Sequence, residues 1–182
     1  MRSMLAGAVA VAVLLALPMQ RAQAQVALGY TDVGGVLGLG NVGNATISFG
    51  GRFEHVFRKL PDIGDGLLGI GVSADFYSYS SRSGQYSSSV KVVPIGATVN
   101  YHFKIDPKKK LDAFIGAGLG YQVISCSYNG PGVTGVNFCS NGTVYFIGRI
   151  GGRYFLKPNM ALYADAGAGS ATLSVGLTFK LR

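Results

Sequence analysis

The chain has 182 residues, of which 48% are hydrophobic and only 13% charged, with a formal net charge of +8. Soluble proteins carry about twice that share of charge, so water is not the solvent on every side of this one. Its 28 glycines are about twice the usual proportion, and two cysteines are too few for a cysteine-rich metal centre.

Residues 1–24 read as a removable export signal: Arg2 at the start, an apolar run from Leu5 to Leu17, then Pro18 and the small-residue site Ala22-Gln23-Ala24. That run is shorter than the about 20 residues a membrane-crossing helix needs. Residues 25–182 then form one domain. Without Arg2 and Arg21 the processed chain is still basic, and in an exported protein that balance favours anionic lipid headgroups over nucleic acid.

Helical periodicity is almost absent from 25–182. Instead, apolar residues alternate with small or polar ones, most clearly from Leu67 to Tyr79 and from Leu173 to Leu181. A period of two predicts strands near 28–40, 46–57, 66–79, 87–104, 111–126, 143–156, 159–166 and 171–181. Turn-forming clusters separate them, among them Asn41-Val42-Gly43-Asn44, Pro61 to Gly66, Ser80 to Ser87, Asp106-Pro107, Asn129 to Gly132, Lys157-Pro158-Asn159 and Gly167 to Ser170. Eight is an even count, as an antiparallel barrel with both termini on one side requires.

Alternate connections must emerge on the same rim. Those after strands two, four and six are charged, whereas those after strands three and five are longer and made of Ser, Gly, Asn and Tyr. Outer-membrane barrels show this asymmetry between short periplasmic turns and longer exterior loops. It places both termini in the periplasm and the segment between Cys126 and Cys139 outside. In an exported chain those cysteines are expected to form a disulfide that pins the exterior loop.

One face of the strands runs Phe49, Phe53, Phe57; Ile70, Val72, Phe76; Val93, Ile95, Val99, Phe103; and Val175, Leu177, Phe179. The other is mainly Gly, Ser and Thr with isolated charges. A lipocalin-like soluble barrel alternates equally well with its apolar face inside, but a water-facing exterior should be dense in charge. The apolar face is therefore assigned to lipid. The lumen then contains Arg52, Glu54, Asp75, Arg149, Arg153, Asp165 and Lys180, expected to neutralise one another as a plug because an isolated buried charge costs several kcal/mol. Aromatic belts are expected at Phe57, Tyr101, Phe103, Tyr154 and Phe179 on one rim, and at Phe76, Tyr77, Tyr79, Tyr121 and Tyr128 on the other. Arg58, Lys59, Lys108, Lys109 and Lys110 form a basic patch on the periplasmic rim, suited to phospholipid headgroups.

Four segments carry a resemblance: Tyr101-His102-Phe103, Phe114 to Tyr121, Gly151-Gly152-Arg153-Tyr154-Phe155 and Val175 to Phe179. With them, the chain from Val26 to Arg182 resembles the small bacterial outer-membrane β-barrels, the eight-stranded family of OmpX and the barrel half of OmpA. The resemblance implies an all-β, eight-stranded antiparallel transmembrane barrel. It also implies insertion by the barrel-assembly machinery. Members of that family usually end in an aromatic residue, whereas this sequence ends Phe179-Lys180-Leu181-Arg182, which leaves Phe179 to serve from an inner position.

Motifs for chemistry are weak. Gly116, Gly118 and Gly120 lie in a strand pattern with no helix behind them and cannot cradle a phosphate. A hydrolytic site needs a base beside a hydroxyl. His55 and His102 are the only histidines, so the last four strands supply none. The expectation is a non-enzymatic envelope protein, without cofactor, metal or nucleic-acid partner. It is expected to be a monomer, embedded in outer-membrane lipid and offering Ser80 to Ser89 and Ser127 to Asn141 to an extracellular ligand or surface. A small solute channel or transporter is the alternative. A lipid A-modifying barrel enzyme and a soluble lipocalin-like protein stand further back.

Overall fold

The computed structural model describes residues 26–40, 45–105, 110–131, 133–136 and 139–181. Among them are nine strands: β1 (Thr31–Leu39), β2 (Ser48–Leu60), β3 (Gly66–Ser83), β4 (Tyr86–Phe103), β5 (Leu111–Gly130), β6 (Val133–Val136), β7 (Ser140–Lys157), β8 (Met160–Ala168) and β9 (Leu173–Lys180). Every pairing is antiparallel. β1 pairs with both β2 and β9, and β4 with β5, so eight strands close on themselves. The ninth, β6, is a short addition to the upper part of β5. Closure leaves no open sheet edge inside the wall, the condition for a sheet to exist in hydrocarbon.

Alternation decides which way each side chain points. Phe49, Val99, Leu119 and Phe146 are 59%, 52%, 63% and 61% exposed on the outer wall, while Asp32, Glu54, Asp112 and Thr178 are buried inside. On β4 the outward series Val93, Ile95, Ala97, Val99, Tyr101 and Phe103 spans ten residue steps. At about 3.4 Å per residue and a tilt of about 40° this is a band about 26 Å tall, close to the apolar height of an outer-membrane barrel. On the outer wall near the rim of the termini, the rings of Tyr101 and Phe103 meet edge to face at 5.0 Å.

The strands are unequal. β1, β8 and β9 have 9, 9 and 8 residues, whereas β3, β4 and β7 have 18 and β5 has 20. Pairing of β3 with β2 stops at Phe49–Phe76, and pairing of β7 with β8 stops at Gly148–Ala168. Beyond those points β3, β4, β5 and β7 continue together as a sheet that projects from the rim opposite the termini. Its tip on β4, seven steps past Val93, stands about 18 Å above the apolar band by the same geometry.

This projection differs from the expected loop at Ser80 to Ser89. Those residues remain paired up to Ser83–Tyr86, with Gly84 at φ +59° in a two-residue turn, where a type II′ hairpin demands glycine first. Alternation in hydropathy fades there because neither face touches lipid, although the backbone pairing persists. On the opposite rim, Gly64 and Asp65 both adopt positive φ in the β2–β3 turn, a conformation Asp tolerates better than most residues.

Candidate functional site

The lumen is filled in layers, starting at the rim of the termini. Tyr30, Val56, Phe155 and Ala161 form an apolar floor, with Val26 and Leu67 packed against it. Above it sits Arg153, whose side chain is 2% exposed. Its Nη1 donates to Asp112 Oδ2 at 2.8 Å and its Nη2 to Glu54 Oε2. Nε lies 2.9 Å from Asp32 Oδ2, a charge contact whose angle falls short of a hydrogen bond. The guanidinium also lies 5.9, 5.4 and 5.7 Å from the ring centres of Tyr30, Phe114 and Tyr163.

His102 completes this layer. Nδ1 lies 2.9 Å from Asp112 Oδ1 and Nε2 lies 2.9 Å from Glu54 Oε1. Ionised carboxylates only accept hydrogen bonds, so with both carboxyls ionised the ring donates from both nitrogens and is positive. Three carboxyl groups thus surround Arg153 and His102. Further donors reach the carboxylates from Asn100, 2.7 Å from Glu54 Oε1, and from the Tyr30 hydroxyl, 3.1 Å from Asp32 Oδ2.

A second ionic layer lies nearer the projecting sheet. Arg52 donates to Asp75 Oδ1 at 2.8 Å, and Arg149 pairs with Asp165. The Ser174 hydroxyl lies 3.4 Å from a nitrogen of each arginine and joins the two pairs. Ser170 donates to Asp75 Oδ2 at 2.6 Å, and Tyr163 donates to Asp165. Between the layers is a cavity of about 50 Å³, room for roughly three or four waters. Tyr77, Val92 and Ala171 then close the top as an apolar cluster. Glycines make this filling possible, since a Cβ at Gly50, Gly69, Gly116 or Gly120 would collide with Asp75, Glu54, Asn100 or Tyr145 respectively.

Six of the seven charges assigned to the lumen from sequence therefore meet as pairs: Arg52 with Asp75, Arg149 with Asp165, and Arg153 with Glu54. The Lys180 ammonium lies 5.8 Å from the ring centre of Tyr30, near the rim of the termini. Absent from that assignment were Asp32 and Asp112 as partners of Arg153, and His102 as the bridge between carboxylates. Their signal was parity: Asp32 alternates with outward Thr31 and Val33, and Asp112 with outward Leu111 and Ala113. Tyr77, Tyr79 and Tyr128 correct the expected aromatic belt, all three lying on the inward parity of their strands. Tyr77 is 8% exposed and points inward, because neighbours on a strand face opposite sides and Phe76 already faces out.

On the rim of the termini, Arg58 and Lys59 are exposed. Asp65 in the adjoining turn bridges Lys59 at 3.4 Å and Lys104 at 3.2 Å. Lys110 lies at the foot of β5, and Lys108 and Lys109 lie outside the described residues. His55 sits on the outer wall, with Nδ1 2.8 Å from the Thr31 hydroxyl. Among the described residues no group of three or more His, Cys, Asp or Glu is placed to hold a metal ion.

The projecting sheet is the other notable surface. A disulfide joins Cys126 on β5 to Cys139 just before β7, with Cα atoms 5.3 Å apart. The Cys126 amide donates to the Cys139 carbonyl at 3.2 Å. The segment expected as a loop between them folds back as β6, pairing Val136 with Tyr128 and Val133 with Gly130. At the tip, the rings of Tyr86 and Tyr128 stack with centres 6.0 Å apart and planes 22° apart.

No family description matches the sequence, and no curated protein sequence matches it significantly. Solved structures do. Neisserial surface protein A (NspA) superposes with a TM-score of 0.53 at 19% identity, covering 84% of this chain and 97% of that one. Ail, the attachment invasion locus protein of Yersinia pestis, superposes with a TM-score of 0.50 at 11% identity, covering 85% and 96%. A second Ail structure, in complex with the heparin analogue sucrose octasulfate, gives 0.48 at 11% identity, covering 83% and 93%. At these identities the likeness to NspA and to the first Ail structure establishes the fold alone, a closed eight-stranded antiparallel barrel.

Proposed function

We propose that this protein is an integral barrel of the bacterial outer membrane that acts without catalysis, by holding a rigid four-stranded sheet above the lipid for partners outside the cell. The observation that carries this reading is the unequal wall: an apolar band about 26 Å tall, with β3, β4, β5 and β7 continuing past it. Both termini and the Asp65 turn then lie in the periplasm, where Arg58, Lys59 and Lys110 meet lipid headgroups. The likeness to NspA and Ail supports the location through the fold. The barrel is inserted by the assembly machinery and stands as a monomer, since its closed wall offers no strand edge within the bilayer.

The two ionic layers and the apolar clusters at either end seal the lumen. Both nitrogens of His102 are engaged by carboxylates, and His55 faces the Thr31 hydroxyl on the outer wall, so neither is arranged as a general base. Two measurements test the proposal. Arg82→Cys in intact cells is expected to react with a membrane-impermeant maleimide, and protection from it refutes the orientation. The purified protein in planar bilayers is expected to be silent; steady discrete conductance steps would instead establish the channel reading.

A further inference from the structure

The inner face of the projecting sheet has a composition of its own. Around the stacked Tyr86 and Tyr128, the register places Ser81, Ser83 and Ser88 on that same face. Tyr86 is 52% exposed. Gly130 lies beside both rings, and a side chain there would press on Tyr86 and Tyr128, so the glycine leaves their edges open. From Ser78 to Val90 and from Gln122 to Pro131 the only charge is Arg82, on the outer face. Farther down the inner face, Tyr79, Val90 and Ile124 pack on Tyr77 and Val92.

We propose that this face is a binding platform for a neutral polysaccharide, Tyr86 and Tyr128 being the stacking pair; the inference rests on the orientation given under Proposed function. A sugar ring has an apolar C–H face and a rim of hydroxyls. Tyrosine supplies a flat surface with a polar tip at small entropic cost, and serine and amide side chains supply adaptable hydrogen bonds. Paired strands and the Cys126–Cys139 bridge hold the platform in place before ligand arrives, which lowers the ordering cost of binding. The lack of cations on this face disfavours sulfated or phosphorylated chains, which need positive charge opposite them. The geometry also selects the source. The platform faces the barrel axis, whereas headgroups of the surrounding leaflet meet the outer wall. Among the described residues the strands on the opposite side of the mouth, β1, β8 and β9, are short, which favours a chain arriving from above.

The test uses the full processed chain in lipid nanodiscs, with dextran and maltohexaose as neutral probes and dextran sulfate as the anionic one. Saturable binding of a neutral probe is expected, with NMR shifts centred on Tyr86 and Tyr128. Tyr86→Ala and Tyr128→Ala should each weaken it at least tenfold, Tyr86→Phe should preserve it, and Gly130→Leu should weaken it by covering the rings. Retained fold is verified by the mobility of unheated samples on electrophoresis. Failure of both neutral probes to bind, tighter binding of dextran sulfate, or indifference to both alanine variants overturns the proposal. The maleimide experiment separates the two levels: labelling at Arg82→Cys without glycan binding sinks the platform alone, and absence of labelling sinks the orientation with it.

Discussion

Replacing Arg153 by methionine removes the cation shared by Asp32, Glu54 and Asp112, whose side chains are 1%, 5% and 5% exposed. Deleting one partner of a buried pair destabilises a protein by about 3–5 kcal/mol, because the remaining charge is left without compensation. Here three carboxylates lose their common partner while His102 still bridges two of them, so the upper end of that range is expected. With a urea slope of about 2 kcal/mol per molar, the unfolding midpoint should fall by about 2–2.5 M. The assay is a urea titration in phospholipid vesicles, read by the mobility of unheated samples. Arg52→Met is the internal control. Its side chain is 11% exposed beside the cavity and it pairs with one carboxylate, so its effect should fall between the surface and buried limits, about 1–2 kcal/mol. Adding Asp112→Asn to Arg153→Met should recover part of the loss. A midpoint for Arg153→Met within 0.5 M of that for Arg52→Met, taking about 0.5 M as the resolution of such a titration, refutes the account of Arg153 as the centre of the seal.

Three other outcomes follow from the same structure. Val99→Lys, midway along the apolar band, should destabilise the barrel by about 2–4 kcal/mol in lipid vesicles; no effect would mean that this wall faces water. Cys126→Ser should leave the unfolding midpoint of the barrel unchanged while exposing the chain between 127 and 139 to added protease, and resistance equal to the parent would show that the bridge pins nothing. The Asp65 carboxyl is held below its ordinary 3.8, first by the hydrogen bond from Lys104 and then by the charges of Lys104 and Lys59. Because the folded value is lowered, the contact's contribution is present above the unfolded value and is lost only as pH falls through the folded one. It should be small, since the site is solvent-screened. A carboxyl NMR titration of Asp65 with its midpoint at or above 3.8 would contradict this.

Period-two alternation made the membrane-height part of the wall legible, because lipid outside and packed charge inside impose opposite chemistry on neighbouring residues. Leu67 to Phe76 and Val93 to Phe103 are readable for this reason. Above the band that contrast disappears. Ser80 to Ser89 therefore looked like a loop, although its backbone stays in register to Ser83–Tyr86. Within the lumen, alternation identifies which residues point inward but not their height or angle around the axis. That is why Arg153 could be placed inside from sequence while its convergence with Asp32, Asp112 and His102 could not: those residues come from β1, β5 and β4 and meet only after closure. The stacking of Tyr86 on Tyr128 was hidden likewise, since the two belong to different hairpins.

Strand inequality separates reach from seal. Extending the β3–β4 hairpin by two residues on each arm would raise its tip by about 5 Å without moving any ion pair below, and shortening it would retract the tip equally. The buried charges, with the Ser174 hydroxyl of β9, fix the lower storey across all eight staves, whereas the upper storey can be rebuilt one rung at a time. Variation in such a protein should therefore gather in the upper hairpins, with the girth of the cylinder held constant.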